Sequence, residues 1–154
     1  MASRRACVFW LAAPSLRALV WGLHDWAHFH NHGPFDEPGE VYALAASATA
    51  LYVGGSFDKV GGVEAASIAA FDGAAWAPLG SGIEGEFVAK VNALHLVGDK
   101  LYAGGSMTRA GGVSARNVAV WNTAAQAWSA LGGGLKGDFE AGEVYAIYVT
   151  DSAQ

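Results

Sequence analysis

From Val41 onward the apolar residues come in short runs, each closed by glycine, aspartate, asparagine or serine. Runs so short, without the three-and-four spacing of a helix face, predict strands. Four are expected over about 41–45, 50–54, 67–71 and 75–79, and four more over 91–96, 100–104, 117–121 and 127–131. Asp72-Gly73 lies between Phe71 and Trp76, where a type I or I′ turn reverses the chain. The runs carry few charges on either face. That predicts sheets covered on two sides, as when sheets stack in series.

The two sets of four are copies of one unit. Leu51-Tyr52, Gly54-Gly55 and Gly61-Gly62-Val63 return fifty residues later as Leu101-Tyr102, Gly104-Gly105 and Gly111-Gly112-Val113. Trp76 returns as Trp128, so the second copy carries two extra residues between Trp121 and Trp128. A third copy opens at Val144 with VYAIYV. Gly54-Gly55 follows directly on an apolar strand, so the missing side chains admit a close neighbour or a bulge. Gly61-Gly62 follows the polar loop FDKV and supplies positive φ in a turn. A phosphate cradle is not indicated, because no helix pattern follows either pair.

Four strands per copy, a Gly-Gly after the second, and aromatics bracketing the third-to-fourth hairpin resemble a kelch-type β-propeller blade. The superfamily is the one that includes the central domain of galactose oxidase. The segments LYVGGSF, AGGV, NVAVWN and AWSALG are similar to repeats of bacterial surface proteins and fungal cortical polarity markers. The chain departs from the strict kelch pattern in its second Gly-Gly and in its aromatic spacing, Phe71 to Trp76 against Trp121 to Trp128.

The resemblance implies an all-β partial propeller: a non-repeat segment over 1–40, four-stranded blades over 41–90 and 91–143, and the first strand of a third over 144–154. Propellers close a ring from about four to eight blades, so further blades are expected. They come either from a longer polypeptide, of which this chain is a fragment, or from several copies assembled into one ring. The implied function is a noncatalytic interaction module with a protein or carbohydrate ligand, outside the cytoplasm or at the cell surface. Two competitors are an oxidase-like or metal-dependent enzyme and a structural adhesion protein. The familiar copper chemistry needs Tyr, His and Cys ligands, and the repeats contain no Cys.

Composition narrows the classes. The 154 residues are 53% hydrophobic and 15% charged, which excludes a disordered tail. A net charge of -5 argues against nucleic-acid binding, which needs a cationic face. The single cysteine, Cys7, offers neither an internal disulfide nor a Cys-based zinc cage.

The first forty residues differ from the repeats. Arg4-Arg5 precede ACVFWLAA, which resembles a secretory signal, although Pro14 and Arg17 interrupt the longer run and no small-residue cleavage site stands out. The alternative is an amphipathic or misassigned start. The run is too short for a membrane span, so contact with a membrane would come only through such a signal or anchor. Next, HDWAHFHNHGPFDE holds His24, His28, His30 and His32. His24 and His28 share a face of a helix, whereas His28, His30 and His32 share a face of an extended segment. Either set can collect imidazoles on Zn, Ni or Cu, and no other cofactor is expected. The competing reading is a polar linker, broken by Gly33-Pro34 and Pro38-Gly39.

Within the repeats the sequence assembles no nucleophile elbow, triad or paired-carboxylate site. His95 aligns with Ala45 and Tyr148, so the repeat does not demand an imidazole there. Asp58, Asp72 and Asp99 fall at expected turns, where carboxylates bond to the backbone. The pairs Glu84 with Glu86 and Asp138 with Glu140 are expected to be solvated. Trp76, Trp121 and Trp128 recur with the unit and are expected in the core. Recognition is assigned to the connections 57–61, 83–87 and 107–111, which are expected to open on a rim.

Overall fold

A computed structural model describes residues 39–135 and 142–150. Every regular element among them is a β-strand, and all pairings are antiparallel. The first copy holds β1 (Glu40–Ala46), β2 (Leu51–Ser56), β3 (Lys59–Val60), β4 (Val63–Glu64), β5 (Ile68–Phe71) and β6 (Trp76–Pro78), followed by β7 (Ile83–Glu84). The second holds β8 (Lys90–Val97), β9 (Lys100–Ser106), β10 (Arg109–Ala110), β11 (Val113–Ser114), β12 (Val118–Asn122) and β13 (Ala127–Ala130). All eight strands expected from the apolar runs are present. They form two four-stranded sheets, β1-β2-β5-β6 and β8-β9-β12-β13.

The glycine pairs explain how the sheets bend and stack. In β1 the pairing steps from Val41–Gly55 to Ala43–Gly54, leaving Tyr42 as the extra residue of a bulge. The same step leaves Asn92 extra in β8, opposite Gly105 and Gly104. A Cβ on Gly55 would lie 1.9 Å from the Glu40 carbonyl oxygen, so the bulge and the missing side chain require each other. A Cβ on Gly54 would instead lie 2.5 Å from Cγ1 of Val91, in the second sheet. Gly104 has the same relation to the third copy, since its Cβ would lie 2.6 Å from Cγ1 of Val144. Each Gly-Gly thus serves one bulge and one close sheet-to-sheet contact.

The core lies between the sheets. Tyr52, Ile68, Leu79 and Ile83 from the first copy pack with Val91, Leu101, Met107, Trp121 and Trp128 from the second. A second cluster, Val53, Phe57, Val60, Ala65 and Ala69, covers the other face of the first sheet, with Trp76 against it. Both faces of β2 and β9 are therefore covered, as their low charge implies. The outer strand β1 alternates exposed and half-buried residues.

Candidate functional site

The connection from the second to the third strand of each copy is a small hairpin, built the same way twice. Gly61 and Gly62 take φ of 55° and 79°, Gly111 and Gly112 take 56° and 79°, and each pair makes the two-residue turn between β3 and β4 or β10 and β11. Left-handed φ at both central positions is the type I′ geometry that matches strand twist, and glycine adopts it without strain. A tryptophan lies over each turn. The Cβ positions of Gly61 and Gly111 would lie 2.4 Å from Trp76 and 2.3 Å from Trp128. Trp76 meets Phe71 at a tilt with ring centroids 5.0 Å apart, and Trp128 meets Trp121 likewise at 5.3 Å.

The exit from each hairpin is held by a buried polar residue with left-handed backbone, Ser67 at φ 61° and Asn117 at φ 64°. Their N–H groups donate to the carbonyls of Phe57 and Met107, and their own carbonyls accept from Gly55 and Gly105. Asn117 also donates through Nδ2 to the Leu135 carbonyl at 3.0 Å and accepts at Oδ1 from the Met107 N–H at 3.2 Å. Ser67 Oγ donates to the Ala89 carbonyl. These bonds satisfy backbone groups that would otherwise be buried unpaired.

The two copies meet along the hairpin rim. β7 leaves the first copy and adds to the edge of β10, making the three-stranded sheet β11-β10-β7. Thr108 and Gly111 donate their N–H groups to the carbonyls of Glu84 and Gly82, both at 2.8 Å. Ile83 remains tied to its own copy through its N–H to the Ala66 carbonyl. Across this seam the Arg109 guanidinium stands 3.8 Å from the Glu84 carboxylate, and Trp128 Nε1 donates to the Leu79 carbonyl at 2.8 Å. β3 occupies the corresponding place in the first copy, and the N–H groups of Asp58 and Gly61 on its edge have no partner among the described residues.

Beside β3 and β4 an open groove of about 560 Å³ runs between the hairpin and the 78–81 connection. Asp58, Lys59, Glu64 and Ser81 give it polar walls, and Ala65, Ala66, Pro78 and Gly80 form the rest. Lys59 and Glu64 make an ion pair across the hairpin. Two carboxylates and one ammonium therefore line the groove. The second hairpin has Thr108, Arg109 and Ser114 at the same positions, a single cation and no carboxylate.

The expectation for the rim loops needs one correction. Residues 57–61 and 107–111 are not open loops, because Phe57, Val60, Met107 and Ala110 point into the core and only Asp58, Thr108 and Arg109 among them stand fully exposed beside the turn glycines. Ile83 is likewise buried, whereas Phe87 is exposed. Trp121 and Trp128 are core residues as expected, and Trp76 is half-buried. His95 meets Tyr148 edge-on at 5.5 Å, a contact between the positions aligned in successive copies. Glu84 is exposed as expected and faces Arg109. Asp138 and Glu140 lie outside the described residues, as do His24, His28, His30 and His32 and the whole signal-like run. Among the described residues no three His, Cys, Asp or Glu side chains gather into a metal site, and no helix is long and apolar enough to cross a membrane.

Shifted titrations lie away from the groove. A hydrogen bond to Glu40 raises the Tyr42 hydroxyl, and one to Glu143 raises Tyr145, at the same place in the first and third copies. Burial raises Tyr52. These phenols stay neutral at physiological pH and supply no base. Compared with known protein families, curated proteins and solved structures, the chain matches none.

Proposed function

We propose that the chain is a noncatalytic interaction module made of kelch-like propeller blades, acting outside the cytoplasm and holding an extended protein segment at the rim of its first hairpin. The observation that carries this reading is the edge of β3, which has no strand partner among the described residues and opens beside a groove walled by Asp58, Lys59, Glu64 and Ser81. A strand edge with free N–H groups binds a peptide through its backbone, and flanking side chains select among sequences. The blade reading is supported by two four-stranded antiparallel sheets that follow chain order and stack through their Gly-Gly strands.

Selection of a displayed random-peptide library on the immobilised chain tests the reading. Enriched peptides are expected to carry Lys or Arg beside an apolar residue, and to lose binding to the Asp58→Asn, Glu64→Gln variant. A library that enriches nothing, or peptides indifferent to that variant, would refute it.

A further inference from the structure

Where the first strands of the copies lie side by side, the chain gathers side chains that the fold does not require. β1 and β8 meet through the contact of Gly54 with Val91, and the segment 143–149 follows β8 through that of Gly104 with Val144. Asn92 Nδ2 adds a bond to the Val144 carbonyl at 3.3 Å. Three equivalent triplets thus lie in series: Glu40-Val41-Tyr42, Lys90-Val91-Asn92 and Glu143-Val144-Tyr145.

The valines pack inward, Val91 fully buried and Val41 and Val144 half-buried. Tyr42 and Asn92 are the extra residues of their bulges, and a bulge re-aims the side chain it adds. Asn92 shows that the bulge needs no aromatic ring. Tyr42 and Tyr145 are 43% and 73% exposed, so burial does not account for the rings either.

Each phenol donates to the glutamate of its own triplet, Tyr42 to Glu40 and Tyr145 to Glu143. With both hydroxyl protons committed, the rings offer their faces. A carboxylate on the hydroxyl also enriches the ring in electron density, which strengthens its attraction for a cation. The two pairs act on one place: after its bond to Glu40, its partial burial and the charge of Glu40, the Tyr42 hydroxyl is raised by Glu143 as well. The Glu143 carboxylate therefore stands near both rings, with Asn92 on the strand between them.

We propose that Tyr42 and Tyr145, with Glu40 and Glu143, form a binding site for a small organic ammonium ion, whose alkyl groups lie on the ring faces while the carboxylates balance its charge. An anion would meet two carboxylates, and a neutral sugar would lack the phenol protons already given to them. Lys90, at the glutamate position of the middle triplet, leaves the three positions one negative charge in excess, which one ammonium ion neutralises. The site is separate from the β3 rim and does not rest on the function proposed for that rim.

Titration of the full chain with tetramethylammonium chloride, followed through the tyrosine ring resonances by NMR, tests it against the uncharged analogue tert-butanol. Saturable shifts are expected at Tyr42 and Tyr145 with the ammonium ion alone. Tyr42→Ala and Tyr145→Ala should each weaken binding by roughly three- to thirtyfold, with circular dichroism unchanged because both rings are exposed. Glu143→Gln should weaken it, whereas Lys90→Gln should tighten it, an effect that loss of structure would not produce. Shifts that never saturate, equal shifts with tert-butanol, or an affinity indifferent to both tyrosine substitutions would overturn the proposal.

Discussion

Asp72 and Asn122 occupy equivalent hairpin turns and bind them in the same way, yet only one of them titrates. Asp72 Oδ1 accepts from the N–H groups of Ala74 and Ala75, both at 2.8 Å, and Asn122 Oδ1 accepts from Ala124 and Ala125 at 2.9 and 2.7 Å. The N–H groups of Ala75 and then Ala74 hold the Asp72 carboxyl below its ordinary value of 3.8. A lowered folded-state pKa means that this stabilisation is complete above the unfolded value and is lost as pH falls through the folded one. Asp72→Asn gives the first copy the capping side chain that the second uses in its longer turn. Its thermal midpoint is expected to run parallel to the wild type between pH 5 and 7, and the difference between them to change only below about pH 4. Parallel curves down to pH 2 would show that the carboxylate charge contributes nothing. Ser67 and Asn117 show the limit of reading single residues from sequence. Neither is glycine, both adopt left-handed φ, and nothing local in SIAAF or NVAVW signals it. Asn tolerates that region better than most residues, but Ser does so only because its amide and hydroxyl are bonded on both sides.

At the scale of the element, the Gly-Gly strand couples one sheet to the next, and this can be measured. Gly54→Ala sets a methyl against Val91 Cγ1 and Leu94 Cδ1, side chains of the second sheet rather than backbone. Overpacking of this kind costs about 1–3 kcal/mol. Val91→Ala removes the obstructing methyls at its own cost. Urea denaturation of the double variant should then show less destabilisation than the sum of the single ones, by roughly 0.5–3 kcal/mol. Additive losses would mean that the two residues do not meet. The long strands were legible because each runs through apolar residues between turn residues, and the repeat doubled that signal. The Gly-Gly contacts and the tryptophan core followed from the same repetition. The strands β3, β4, β7, β10 and β11 were not legible, because two residues are too few to show alternation. Their absence from the reading displaced the site: the 57–61 and 107–111 segments were expected as open loops, whereas pairing turns Phe57, Val60, Met107 and Ala110 inward and leaves the polar residues on the rim. The edge of β3, without a strand partner among the described residues, stands out only by comparison with that of β10, which β7 covers in a contact between copies that no local pattern encodes.

Across the whole described molecule the main core cluster draws side chains from both sheets, so the copies are not independent folding units. Leu101 on β9 is fully buried and packs in the cluster that contains Tyr52, Ile68 and Leu79 of the first copy. Leu101→Ala should cost about 2–5 kcal/mol, the range for emptying a leucine site in a core that relaxes only partly. Because β7 is hydrogen-bonded to β10 and Trp128 to the Leu79 carbonyl, this loss cannot remain in the second sheet. Native-state hydrogen exchange should therefore show protection falling equally for the slowest amides of β2 and β9, although the altered side chain belongs to β9 alone. A fall confined to β9, β12 and β13, with β2 and β5 unchanged, would mean that the copies open separately. The seam would then be a docking contact between finished units rather than part of one shared core.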